Sequence, residues 1–415
     1  MQRLRQSLPY FRAHKWEPEI IAVDWAFVEV NSLDNLLVQS FPADFKIHWI
    51  KAWTVEKTRK FGLGSLSMRS YFHFMKKGNE ILSRDKFDLV FFSTTAFHVL
   101  ALGPYWKKKF GVPFIIDIQD PWRNDFYLDK PRNERPPKFR LSYSIDKYLE
   151  ARTIPKAAGI IAVSKAYIDV FHKRYPGSNS IPALVLPFGG NKIDFDIAAG
   201  VTDLSRLVTP DLKKKNIIYI GRGGNDLKRA TGIFFGALKQ IKQENPEIYK
   251  ILHCWFIGTS YALSGKGIKT IFPIAEKSGV SEIVTEISDR LPYYETLYWL
   301  RQASLLFIPG STDTAYTASK IYPYILSEKK ILAIFHEDSS VVKVIAETQA
   351  GVCLTFNEKT DDTVLIAECK RQLLRLLGEG SVPNFDYNAF EQYSAKSMAD
   401  KMLTFFDDVI KNTKG

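Results

Sequence analysis

The chain has 415 residues, of which 46% are hydrophobic and 25% charged; that is material for two ordinary cores and rules out a disordered or fibrous protein. Its three cysteines, Cys254, Cys353 and Cys369, show no CxxC spacing, which argues against a disulfide framework or a zinc site and fits a reducing compartment. The net charge of +12 calls for an anionic partner or for several solvated basic faces.

In chain order, a helix is expected over 2–14, followed by strands over 19–23, 45–50, 88–93, 114–118, 159–163 and 183–186. A second series follows, with strands over 216–220, 254–257, 284–287, 305–308, 331–335 and 351–354. These β-branched and aromatic runs alternate with helical stretches, the pattern of parallel α/β sheets. Two such series joined by the polar stretch 189–216 predict two doubly wound, Rossmann-like domains, 1–209 and 210–386, facing each other across a cleft. A last helix over 387–410, with Phe390, Tyr393, Met398, Met402, Phe405 and Phe406 at helical spacing, is expected to return to the first domain.

The beginning is irregular for such a fold. A doubly wound domain opens with a mid-sheet strand and a tight glycine turn, whereas this sequence opens in a helix. The expectation is that an opening strand is missing from the first domain and lies upstream of Met1.

No apolar run approaches the roughly 20 residues of a membrane span, and no signal-peptide pattern is present. A cytoplasmic protein is expected. Lysines and arginines cluster at 3–12, 57–59, 107–109, 132–140 and 213–215. No nucleic-acid-binding motif accompanies them, so they read as solvated faces or as weak attraction to an anionic membrane, such as the inner face of a plasma membrane.

The most informative stretch is IIYIGRGGNDLKRATG, 217–232. A strand runs into Gly221, Gly223 and Gly224, and a helix is expected from about Leu227. Glycines let backbone approach a ligand, and a helix start offers free N–H groups to an anion. Arg222 and Lys228 bracket the turn and could hold the two phosphates of a diphosphate. The alternative is a plain strand–turn–helix with two surface cations. In the first half, His98 and Asp120 each follow a strand, at the carboxyl ends where α/β folds bind ligands; a lone histidine there also serves as a packing residue. No Asp-x-Asp stands at a strand end to hold a metal, and no GxGxxG with a downstream acid points to a nicotinamide cofactor.

These stretches resemble, in order, the retaining GT-B glycosyltransferases of family 4. The glycine–arginine turn with Lys228 six residues after Arg222 is similar to that family's diphosphate grip. FGVPFIIDIQDPW (110–122) resembles its strand and DPW loop, with Gln119 where arginine is common, and AAGIIAVS (157–164) resembles a further strand. RLPYYETLYWLRQ (290–302) resembles the loop and helix at the nucleotide base, and SKIYPYILSEKKIL (319–332) the helix beside the donor. The resemblance covers nearly the whole chain.

It implies a transferase that moves a sugar from a nucleotide diphosphate donor to a glycan or lipid-linked acceptor, with retention, in surface polysaccharide assembly. It also implies no cofactor and no metal, because fixed cations and helix N-termini stabilise the leaving diphosphate. Gly221, Arg222, Gly223, Gly224, Lys228, Ser319 and Lys320 would bind the diphosphate, Leu291, Tyr293 and Tyr322 the base or ribose, and Asp120 and His98 would act at the reacting sugar, with Trp122 packing on its ring. One departure is marked. Family members carry two glutamates at the positions of Ala315 and Pro323, neither of which can accept a ribose hydrogen bond by side chain. Thr314, Tyr316, Thr317 and Ser319 are the hydroxyls left near that helix, and Glu328 is a further replacement candidate. A catalytically impaired relative and a nucleotide-sugar epimerase are the competing readings.

Overall fold

The computed structural model describes all residues except 1, 29–35, 38–39, 43, 59–63, 124, 129, 136–137, 201–209, 212, 263–264, 313–318, 379–384 and 415. The hydroxyl-rich Thr314, Tyr316 and Thr317, together with Ala315, lie outside the described residues. The chain forms two compact units: residues 1–30, 41–188 and 395–415, and residues 31–40 and 189–394. Residues 189–200 group with the second unit.

The second unit is one six-stranded sheet built from β7 (Lys215–Ile220), β8 (Leu252–Ile257), β9 (Val284–Ile287), β10 (Leu305–Pro309), β11 (Ile331–His336) and β12 (Val352–Phe356). The order is β12-β11-β10-β7-β8-β9, and every pair is parallel. This is the doubly wound arrangement, with β7 mid-sheet and the order reversing between β7 and β10. β10 and β11 are buried along their whole length, as a sheet covered by helices on both faces requires. Phe234 of the helix Lys228–Glu244 stacks on Phe307 of β10 at 4.0 Å between centroids, and Phe256 of β8 meets both edge-on.

The described strands of the first unit form two sheets. β1 (Glu19–Val23) pairs with β2 (Lys46–Ile50), and β3 (Val90–Ser93), β4 (Phe114–Ile118), β5 (Gly159–Ala162) and β6 (Ala183–Val185) pair in that order, all parallel. β4 and β5 alternate between two cores. Phe114, Ile116, Ile118, Ile160 and Ala162 point to one, and Ile115 and Ile161 to the other. The second core joins Ile20 of β1 to Leu8 and Phe11 of the helix Gln2–Phe11 and to Met398, Met402 and Phe406 of the helix Ala395–Lys414. The two sheets thus share packing without sharing a ladder.

Two expected helices are cut short. The first ends at Phe11 and continues as a 3₁₀ turn, Arg12–His14. The last is broken in two, Tyr387–Glu391 and Ala395–Lys414, with each piece in a different unit; Phe390 fills the second unit's core while Met402 fills the first's. The basic cluster 3–12 is only in part a solvated face: Arg12 is exposed. Arg3 and Arg5 are each 3% exposed, and Arg3 Nε donates to the fully buried Asp117 of β4 at 2.7 Å. Asp117 also accepts from Ser93 and Gln119, so the helix is keyed to the sheet by a buried charge with several donors. Lys107, Lys108 and Lys109 remain exposed.

Candidate functional site: a crevice at the sheet switch point

At the carboxyl end of β7 the second sheet parts. β10 pairs with β7 only through Leu305↔Ile217 and Leu306↔Ile218. Beyond that, the Tyr324 hydroxyl takes the place of a neighbouring strand, accepting from the Ile220 amide at 2.7 Å and donating to its carbonyl at 3.2 Å. Tyr324 is 1% exposed and sits on the short helix Ile321–Leu326. A crevice at this position is where doubly wound sheets bind ligands.

The glycine turn follows β7. Gly224 has φ +140°, in the region that favours glycine. Side chains at Gly221 or Gly223 would collide with neighbours: a Cβ on Gly221 would meet the Lys320 ammonium and Tyr219, and one on Gly223 the Thr270 hydroxyl. After the turn comes a 3₁₀ turn, Asn225–Leu227, and then the helix from Lys228, close to its expected start.

Two buried polar atoms flank this turn with no hydrogen-bond partner among the described residues: Lys320 Nζ beside Gly221 and Thr270 Oγ1 beside Gly223. Lys320 as a residue is only half-buried, but its ammonium is enclosed, 5.4 Å from the centre of the Tyr219 ring. Burial, with the charges of Arg290 and Arg222, pushes its pKa down to about 7. Arg222 is gripped by Asp226 through two bonds of 2.8 and 2.6 Å, which holds the Asp226 carboxyl below its usual range. Arg290 lies over the exposed Tyr261 ring at 4.3 Å. Buried donors and cations without a matching anion cost stability unless a ligand supplies one.

A residue the sequence reading missed organises one wall. Glu286, 3% exposed at the end of β9, accepts from the Thr259 hydroxyl and from the amides of Thr270, Ile271 and Phe272, at 2.6 to 3.1 Å. It fixes the segment that carries Thr270 against Gly223. Its only sequence signal was a carboxylate inside an apolar strand, which a half-exposed strand would equally permit.

The expected site residues divide. Gly221, Arg222, Gly223 and Lys320 come together. Lys228 is exposed at the helix start and Ser319 is half-buried beside Lys320. Leu291 packs partly buried against the core. The Tyr293 hydroxyl donates to the buried Asp194 at 2.8 Å, an anchor between helices. Tyr322, 5% exposed, stacks on Tyr393, and burial raises its pKa to about 12; its ring is committed to the core. The Glu328 carboxylate accepts from Tyr387. Pro323 is the third residue of its helix, where no intrahelical N–H bond is lost.

In the first unit, Trp122 stacks on Phe97 at 5.9 Å and is 4% exposed, so it is not an open platform for a sugar. His98 Nδ1 lies 2.6 Å from the Ser67 hydroxyl and its Nε2 3.4 Å from Asp146. Burial lowers the His98 pKa and raises that of Asp146 to about 6. Asp120 is exposed, and partial desolvation raises its pKa.

Two Rossmann-like α/β units, the second with a glycine turn and a crevice at its switch point, make the GT-B architecture. Solved structures share it along nearly the whole chain. The N-terminal domain of Candida albicans trehalose-6-phosphate phosphatase is 12% identical with a TM-score of 0.60, covering 99% of this chain and 94% of its own. Anabaena HepE in complex with UDP and glucose is 13% identical with a TM-score of 0.57, covering 98% and 94%. WaaG, a glycosyltransferase involved in lipopolysaccharide biosynthesis, is 13% identical with a TM-score of 0.50, covering 99% and 95%. At these identities the likeness is one of fold. No family model and no curated protein matches the sequence.

Proposed function

We propose that the protein is a glycosyltransferase that takes a sugar from a nucleotide diphosphate donor, with retention, and places it on a glycan or lipid-linked acceptor in surface polysaccharide assembly. One observation carries this reading: the buried Lys320 ammonium, without a hydrogen-bond partner among the described residues, converging with Arg222 on a glycine turn at the switch point. A diphosphate supplies the missing anion, and cations fixed before the reaction stabilise the charge that develops as the glycosyl–phosphate bond breaks. The UDP and UDP-glucose bound by HepE and the lipopolysaccharide role of WaaG support the donor class and the setting.

On this reading Gly221, Arg222, Gly223, Gly224, Lys228, Ser319 and Lys320 hold the diphosphate, and Leu291 lies toward the base. Asp120 and His98 contact sugar or acceptor, and no metal or other cofactor takes part. The exposed lysines 107–109 are the candidate contact with an anionic membrane on the cytoplasmic side. The test is release of nucleoside diphosphate from UDP-, GDP- and dTDP-sugars by purified protein, with and without lipid-linked glycan acceptors. Binding without any turnover, including hydrolysis, would replace this reading by that of a catalytically impaired relative, which Pro323 at the glutamate position favours.

A further inference from the structure

We propose that the Lys320 amine takes up a proton when a donor diphosphate enters the crevice, so that binding and protonation are coupled at one buried group. The inference rests on the donor reading above and deepens it. The Lys320 nitrogen is enclosed, and the absence of a side chain at Gly221 is what leaves room for it.

Among the described residues, the groups around it offer no compensating anion. From the glycine turn comes Arg222, whose guanidinium already consumes the Asp226 carboxylate. The segment after β9 brings Arg290, and there Asp289 accepts from the Gly265 amide. Tyr219 of β7 presents its ring face, its hydroxyl donating to the Arg222 carbonyl at 2.8 Å. Tyr324, on the helix that follows Lys320, has its hydroxyl committed to Ile220.

An ammonium stripped of water between two like charges loses its proton near neutral pH, consistent with the pKa of about 7. An opposite charge within hydrogen-bonding reach reverses this and restores the ammonium. Above pH 7 the proton must then come from solvent, because the terminal phosphate of a nucleoside diphosphate, with a pKa of about 6, is already ionised.

The test is titration calorimetry of the full chain with UDP, GDP and dTDP at pH 8, in buffers of differing ionisation heat. The expected slope is uptake of about 0.9 proton per ligand bound, the fraction of an amine of pKa about 7 that is neutral at pH 8. The dissociation constant should rise about tenfold between pH 8 and 9, and Lys320→Met should abolish both effects. Measurable binding whose heat is independent of buffer at pH 8 overturns the coupling while leaving the donor reading in place. Failure of all three nucleotides to bind between pH 6 and 8 overturns the donor reading and the coupling together. The wild-type buffer series decides the matter even if the variant does not fold.

Discussion

Replacing Lys320 with Met should make the ligand-free protein more stable at neutral pH, although it removes a residue from the crevice. Methionine is flexible and apolar enough to fill the volume of the lysine stem. In the unfolded chain the amine titrates near 10.5, whereas in the folded protein it titrates near 7. Below pH 7 both states carry the proton and the folded state bears the full cost of a buried ammonium. Between pH 7 and 10.5 the unfolded state binds more protons, so the contribution of Lys320 to stability improves as pH rises. At 1.36 kcal/mol per unit, the cost is about 4 kcal/mol at pH 7 and about 2 kcal/mol at pH 9. Urea denaturation of both proteins at the two pH values reads the difference directly. The variant should gain at pH 7 and lose about half of that gain by pH 9. A variant less stable than wild type at pH 7, or a gain that does not change with pH, would refute the account of the crevice as an anion site held open at the expense of stability.

Arg222→Ala should weaken nucleoside diphosphate binding by about 1.5–3 kcal/mol, the worth of a charge-assisted contact, while the exposed Lys228→Ala should cost less; unchanged affinity in both would remove them from the site. Tyr324→Phe leaves the buried Ile220 amide without its acceptor and should cost about 1–3 kcal/mol of stability in urea melts. Turnover, once a donor is found, should survive EDTA, and loss restored by Mg²⁺ or Mn²⁺ would contradict a site built on protein cations. Sedimentation with anionic liposomes should fall as salt rises, since exposed charge is screened within about 8 Å at physiological ionic strength, and should fall again on replacing Lys107, Lys108 and Lys109; indifference to salt would mark them as ordinary surface lysines.

Much of the fold was legible because parallel strands buried on both faces must be continuous apolar runs, and such runs stand out between helices. β7, β10 and β11 fall within a residue of where the pattern puts them. The glycine turn was legible too, since residues without a Cβ next to two cations carry a chemical meaning in one dimension. The same local reading could not tell how Trp122, Tyr293 and Tyr322 pack. An aromatic ring in a loop looks the same in sequence whether it faces ligand or core, and here Phe97, Asp194 and Tyr393 claim them.

The amino-acid sequence by itself thus determined two parallel α/β units and a strand–glycine turn–helix at the start of the second, because both follow from periodicity and from glycine's freedom over a few neighbouring residues. Only the tertiary structure decided what makes the turn a site. Thr270, Tyr324 and Glu286 lie between about 50 and 100 positions along the chain from Gly221, and nothing in their own neighbourhoods says that they meet it; Lys320 is marked in sequence only by the family resemblance. The meaning of all four lies in burial without a partner among the described residues or in bonds across the sheet. The break in the last helix was settled in the same way: Phe390 and Met402 keep a common helical spacing in sequence, but two separate cores claim them.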